Sequence, residues 1–510
     1  MRDSLSIMVQ GTHSDAGKSV ITTALCRIFS QDGYRTAPFK SQNMALNSYI
    51  TIDGREIGRA QGVQAEAAGI EATTYMNPIL IKPSRENDSQ IVVHGKPYKN
   101  MNAFDYRRSF YNEGLRLIEE AIHCLYEQYE CVVIEGAGSP AEINLNDREL
   151  VNMKVAQLAD APVILVGDIE KGGVFASLVG TLQLVEKEDR ARIVGVVINK
   201  FRGDVTLLEP GLSWFEEYTG VPVLGVIPYI PNLTIEAEDS VVLSSYQQHR
   251  DAQKLIDIAV IQYPMISNFT DIDPFFAEED CSVRFVKKAS ELHSPDLLIL
   301  PGSKNTIEDL QHLKNSGLYD EILQLANQGK TKIFGICGGY QMLGTIVRDP
   351  DHVETTHEEE RGLGLLPITT TLLQEKTTVR SQGVALFAEK HYEINGYEIH
   401  MGQSVIDDDA NRWIQTQNGH LDGVKNETEQ IIGTYFHHLF HNDEFRLALL
   451  NQLRVQKGAP KKIEPLRFLE LREESFNTLA DHVRTHVNMD KLYEHMRVYQ
   501  ENRMLKRSSV

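Results

Sequence analysis

Apolar runs alternate with amphipathic stretches from the N-terminus to about residue 230. Short strand-like runs at residues 6–10, 131–134, 163–166 and 193–198 are separated by segments of helical period. That rhythm predicts a mostly parallel, doubly wound sheet. From 228 to 256 the pattern breaks into PYIPNL, an acidic IEAEDS and a polar SSYQQHRDAQK, which read as a connector. A second α/β rhythm begins at Ile256, with strands expected at 258–262, 297–300, 332–336 and 430–435. From about 445 the chain is charged and helical in pattern, as in FRLALLNQLRVQ and NTLADHVRTHV. The fold class expected is therefore α/β: two doubly wound, mostly parallel-sheet domains at 1–230 and 257–445, a connector at 231–256, and a helical extension at 446–510.

Composition narrows the function. The chain has 510 residues, 42% of them hydrophobic and 24% charged, ordinary values for a soluble globular protein. Nothing in it approaches an apolar run able to cross a bilayer, and a polar GTHSD interrupts any secretory pattern at the start. Five scattered cysteines with no CxxC pair argue against a zinc site or disulfide framework and fit a reducing cytoplasm. A net charge of −20 disfavours nucleic acid as a partner, so an anionic small substrate would need a local basic pocket. Membrane association is not expected, and a homo-oligomer is left open.

The stretch GTHSDAGKS (11–19) lies between a strand and a helix, where backbone N–H groups and a helix N-terminus face phosphates. Gly11, Thr12 and Gly17 shape the loop, Lys18 would reach the β- and γ-phosphates of ATP, and Ser19 would hold Mg²⁺. The alternative, a turn that only caps a helix, does not account for strand and helix on both sides. Glu135 closes the apolar CVVIE run, where a metal carboxylate at a sheet edge would sit. Asn199 also ends a strand and is either an adenine-reading group or a turn asparagine. APFKSQNMALNS, DGREIGRAQGVQAEAAG and MNPILIKP pack amide, hydroxyl and basic groups too densely for simple core elements.

In the second half, KIFGICGGYQMLG (332–344) places Cys337 on a sharp turn between strand and helix. There backbone N–H groups, including that of Gly338, and the helix N-terminus would lower the thiol pKa and stabilise an oxyanion. GTYFHHLFHN supplies His437, His438 and His441 as candidate bases after another strand. Gly302 in LLILPGSKNT is either an oxyanion-hole donor or a plain turn glycine.

Gly11 and Gly17 enclose five residues, one more than the standard nucleotide loop, and this resembles the dethiobiotin synthetase group. The resemblance implies Lys40 as a phosphate-contacting lysine and Glu56 as a second metal carboxylate. His13 stands where related partitioning ATPases carry a switch lysine, which counts against that class. PGS, GxCxGxQ and a strand-end histidine resemble class I glutamine amidotransferases, which implies L-glutamine as ammonia donor and His437 as the base. The glutamate usual two residues later is replaced by Leu439.

Together, PFKSQNMALNS, EIGRAQ, MNPILIKP, VGDIEKGGVFAS, INKFRGD, EDS, ISNFTDIDP and REESFNTLADHVRTHV resemble the cobyric acid synthase family over nearly the whole chain. What that implies is ATP- and glutamine-dependent amidation, through an acyl phosphate, of the b, d, e and g carboxylates of adenosylcobyrinic acid a,c-diamide. The product would be adenosylcobyric acid, in cobalamin biosynthesis. The substrate would be a polyanionic corrinoid, with Lys40, Arg55, Arg59, Lys82 and Lys171 in the dense motifs as candidate local charge. The sister a,c-diamide synthase, a cell-wall amidoligase, and a nucleotide-switched binding module with an inert amidotransferase-like domain are the alternatives.

Overall fold

The computed structural model describes residues 4–84, 88–231, 233–236, 249–407 and 409–508. EDS (238–240) and SSYQQ (244–248) of the expected connector lie outside the described residues. The chain divides into two compact units, Met1–Met44, Glu56–Glu238 and Leu471–Val510 in one, Ala45–Arg55 and Asp239–Glu470 in the other. Among the described residues, no helix is long and apolar enough to cross a membrane.

The first unit is built on β1 (Leu5–Gly11), α1 (Lys18–Gln31), β2 (Thr36–Phe39), β3 (Cys131–Glu135), β4 (Val163–Asp168), β5 (Ile193–Phe201) and β6 (Val223–Pro228). These strands form one sheet in the order β6-β5-β4-β1-β3-β2. Every neighbouring pair is parallel. Because β1 is central, all seven of its residues are buried, and its sequence is a nearly unbroken apolar run. Pro38 lacks an N–H and sits in β2 at the sheet edge, where no outer partner needs it. Parallel strands end on one edge, so the loop after β1, Glu135, Asp168 and Asn199 gather there, with Val9 level with Glu135 and Asp168 level with Asn199.

Two features of this unit go beyond the hydrophobic pattern: a second sheet, and the docking of the expected C-terminal helices into this core. Gln42–Met44, Ile79–Pro83, Asp88–Val93 and Lys96–Asn102 make a separate four-stranded sheet. The C-terminal helices, Phe468–His486 and Met489–Ser508, send Leu479, Val483, Leu492 and Met496 into the same core as Ile7, Val9, Leu25 and Phe29. Arg503 anchors the last helix. Its buried guanidinium donates to Ser6 Oγ at 2.9 Å, to Asp160 O at 2.7 Å and to Ser4 O.

The second unit starts with parallel strands β7 (Ile256–Ile261), β8 (Cys281–Val286), β9 (Leu297–Leu300) and β10 (Lys332–Ile336), followed by α2 (Gly338–Leu343). β11 (Ile431–Thr434) pairs in parallel with β10. Beyond the parallel strands the sheet becomes mixed. Among the described residues the sheet has eleven strands, because Ile368–Phe387, Lys390–Ile406, Asn411–Thr416 and Leu421–Lys425 extend it in antiparallel fashion and Ile346–Arg348 and Glu359–Arg361 add to its far edge. These strands face water on one side, so ITTTLLQEKTTVRSQGVALF alternates in burial and offers no continuous apolar run to find. Ala45–Arg55 also belongs to this unit. The Ser48 N–H donates to Asn268 Oδ1 at 2.9 Å, and Ile50 clusters with Tyr397 and Ile399.

Arg503→Met strips charged donors from buried carbonyls and should cost about 2 kcal/mol. A lower urea midpoint for the first unit's transition checks it.

Candidate active sites

At the carboxyl edge of the first sheet, the chain leaves β1 at Gly11 and re-enters helix at Lys18. Gly17 makes that turn with φ 100°, and a Cβ there would lie 2.0 Å from Asn199 Nδ2. Only glycine tolerates both the dihedral and the approach. Thr12 N–H donates to Val166 O at 3.0 Å, tying the loop to β4. Lys18 is buried, and its Nζ donates to His13 O at 2.9 Å and Gly138 O at 3.1 Å, folded back along the loop it would share with a phosphate. Burial, then Lys171, holds the His13 imidazole below its ordinary pKa; Lys18 and Lys200 act the same way, against Asp168. Positive charge thus crowds the loop.

Glu135 is the hub of the site. It is 1% exposed, and Ser19 Oγ and Lys40 Nζ each donate to its Oε1 at 2.9 Å while Gln64 Nε2 donates to Oε2 at 2.5 Å. The structure therefore brings Ser19, Lys40 and Glu135 together beside Gly11, Thr12, Gly17 and Lys18. Asn199 lies under the loop, its Nδ2 donating to Ala16 O at 3.0 Å. Glu56 is held differently, in a buried pair with Lys82 at 2.5 Å. Arg59 pairs with Glu236 at 2.8 Å. So Lys40, Arg59 and Lys82, singled out as candidate local charge, are each engaged by a carboxylate, and Arg55 lies in the other unit.

In the second unit Cys337 caps α2 with φ 52° and ψ −109°, a strained corner for a residue with a Cβ. The corner closes tightly because Gly339 N–H donates to Pro301 O at 3.0 Å, and a Cβ on Gly339 would fall 1.9 Å from Leu300 O. Gly338 takes the first helical position, where N–H groups have no partner within the helix. Gly302 lies alongside: a Cβ on it would come 2.8 Å from Ser267 O and 3.4 Å from His437 Cε1. His437 is fully buried, its ring stacked on Tyr397 with centroids 4.9 Å apart.

The buried His437 has a carboxylate partner distant in the sequence. Asp271, fully buried, bonds His437 Nδ1 through Oδ2 at 2.7 Å and accepts the His438 N–H through Oδ1 at 2.8 Å. The position two residues after the histidine, Leu439, is core. Burial opposes the imidazolium, but the Asp271 carboxylate, with Cys337 acting the same way, outweighs it and pushes His437 up to about 10. The carboxylate also fixes which ring nitrogen faces the thiol. ISNFTDIDP carried the signal, an acid in a polar segment after a strand, but 166 residues separate Asp271 from His437 and only the fold closes that gap.

Two family models match this chain. A model described as the CobQ/CobB/MinD/ParA nucleotide binding domain matches residues 7–242, and one described as the CobB/CobQ-like glutamine amidotransferase domain matches 257–445. The chain is 61% identical over 500 residues to a protein named cobyric acid synthase from Geobacillus sp. (strain WCH70), covering 98% of this chain and 99% of that one. It is 60% identical to one of that name from Anoxybacillus flavithermus, over 98% of this chain and 99% of that one. A third so named, from Desulforamulus reducens, is 50% identical over 96% of this chain and 98% of its own.

Asp271→Asn keeps the size of the side chain and removes the charge. Glutamine-dependent kcat should fall roughly 10²- to 10⁴-fold. Without the carboxylate the His437 pKa drops, so the alkaline falling limb of the glutaminase pH profile should move to lower pH. A profile unchanged in position would mean Asp271 only supports the fold.

Proposed function

This chain belongs to the cobyric acid synthase family, and on that premise we propose how its residues divide the reaction. It is a glutamine-hydrolysing amide ligase of cobalamin biosynthesis that uses ATP and glutamine for amidation. The finer reaction we assign is amidation of the b, d, e and g carboxylates of adenosylcobyrinic acid a,c-diamide to adenosylcobyric acid. The free cysteines fit a reducing cytoplasm as its location.

In the second unit, the Cys337 thiolate attacks the glutamine carboxamide. Gly302 and Gly338 N–H groups stabilise the oxyanion, and His437, oriented by Asp271, protonates departing ammonia. His437 then takes a proton from water, which cleaves the thioester to glutamate. In the first unit, a substrate carboxylate oxygen attacks the γ-phosphorus of ATP and ADP leaves, with Lys18 and Lys40 offsetting the charge. Ammonia attacks the acyl phosphate carbonyl, loses a proton, and phosphate departs. Gly11, Thr12 and Gly17 cradle the phosphates, and Asn199 holds the loop from below.

Mg²⁺ fits the donor set, since the Ser19 hydroxyl and Glu135 carboxylate are hard oxygen ligands already hydrogen-bonded at the loop. Ser19 and Glu135 would hold it, with Glu56 as a further carboxylate, and it would supply neutralisation of the β- and γ-phosphate charge.

The observation that carries this reading is one chain holding both a Ser19–Glu135–Lys40 cluster at a phosphate loop and a His437–Asp271 pair beside an elbow thiol. Incubation with ATP, glutamine and purified corrinoid acids should give products in which OH groups are successively replaced by NH₂, read by mass. No mass change with any corrinoid contradicts the assignment. Cys337→Ala should lose glutamine-dependent turnover and keep turnover with ammonium salts. Lys18→Ala should lower both by at least about 100-fold.

A further inference from the structure

The first unit contains a cavity of about 940 Å³ with mainly apolar walls, among them Met44, Ile81, Ile91, Met101, Phe104 and Leu145. Met44 is 56% exposed, Phe104 68% and Leu145 41%, a cost in water that an apolar ligand would remove. The volume and lining are those of a small-molecule site rather than a packing defect. One wall is a π-helical turn, Tyr106–Phe110, an irregularity that spaces its side chains more widely than an α-helix does.

Short stretches of chain and two hydrogen-bonded contacts link the cavity wall to the carboxylate-activating cluster. Its lining residue Gln42, held by the Tyr106 hydroxyl at 2.6 Å, is two positions from Lys40. Between them, Ser41 Oγ donates to the carbonyl of another lining residue, Leu150, at 2.7 Å. Next to Leu150 and Val151, the Asn152 side chain grips both backbone groups of Ala137, donating to its carbonyl at 2.7 Å and accepting its N–H at 3.2 Å. Ala137 lies two residues past Glu135. Arg107 and Arg148 add positive charge, Arg107 being held by Asp147 at 2.5 Å and Arg148 being exposed.

We propose that this cavity seats the apolar ring of the corrinoid, with peripheral carboxylates directed at Arg107 and Arg148 and the reacting one toward Lys40. The inference rests on the corrinoid reading given above. Its chemistry calls for a large, largely apolar macrocycle edged by carboxylates, and an apolar chamber with arginines and a wall residue, Gln42, two positions from Lys40 answers each part.

The test is steady-state kinetics with the purified corrinoid acid on the full-length enzyme and two surface variants, Phe104→Asp and Arg148→Glu. Both side chains are exposed, so neither should disturb folding, which circular dichroism checks. The KM for the corrinoid should rise roughly 10-fold or more in each variant, with the KM for ATP within about twofold of wild type. A corrinoid KM at the wild-type value in either variant overturns the placement while leaving the reaction itself intact. A rise in the KM for ATP instead would assign the cavity to the nucleotide. If the wild-type enzyme turns over no corrinoid, the functional reading fails and the placement with it.

Discussion

A carboxylate buried at the end of β3 organises the first unit. Removing Glu135 from water is costly unless its oxygens are paired, and the fold meets that cost with a hydroxyl, an ammonium and an amide drawn from three separate segments. Ser19 comes from the phosphate loop, Lys40 from the end of β2 and Gln64 from the helix Arg59–Ala67. Each pairing fixes a stretch that would otherwise be an unconnected polar loop. A group buried this way is also suited to exchange its present partners for a cation and phosphate when ligands arrive. That requirement accounts for two of the polar residues between 37 and 83, Lys40 and Gln64.

The second unit answers the same problem at His437. An imidazole with no exposure would ordinarily stay neutral, and Asp271 reverses that. The triad acid usually found beside the histidine is replaced by core residue Leu439, and the charge is supplied from the turn after Ile266–Ser267. The same neighbourhood receives Ala45–Arg55, whose Ile50 packs with Tyr397, the ring stacked on His437.

Strands buried on both faces were readable from the chain alone, because a parallel core leaves them as continuous apolar runs. β1, β3, β4, β9 and β10 fall where that pattern puts them. The antiparallel strands from Ile368 to Lys425 were not, since half of each faces solvent. The two loops were legible because their chemistry needs particular residues in fixed spacing, GTHSDAGKS and GICGGYQ. Asp271 was hidden for the opposite reason: its role depends on a contact across 166 residues that no local pattern encodes. Asn199 lies in the expected strand, and its Nδ2 donates to Ala16 O beside Gly17, a contact that no local pattern encodes.

In the proposed reaction a substrate carboxylate is activated by phosphoryl transfer at the Glu135 cluster before ammonia reaches it. Corrinoid acid carrying ¹⁸O in its carboxylates tests this directly. Phosphate released during turnover, analysed by mass spectrometry, should carry one ¹⁸O for each amide formed. Phosphate free of ¹⁸O, with amide still produced, would contradict the claim.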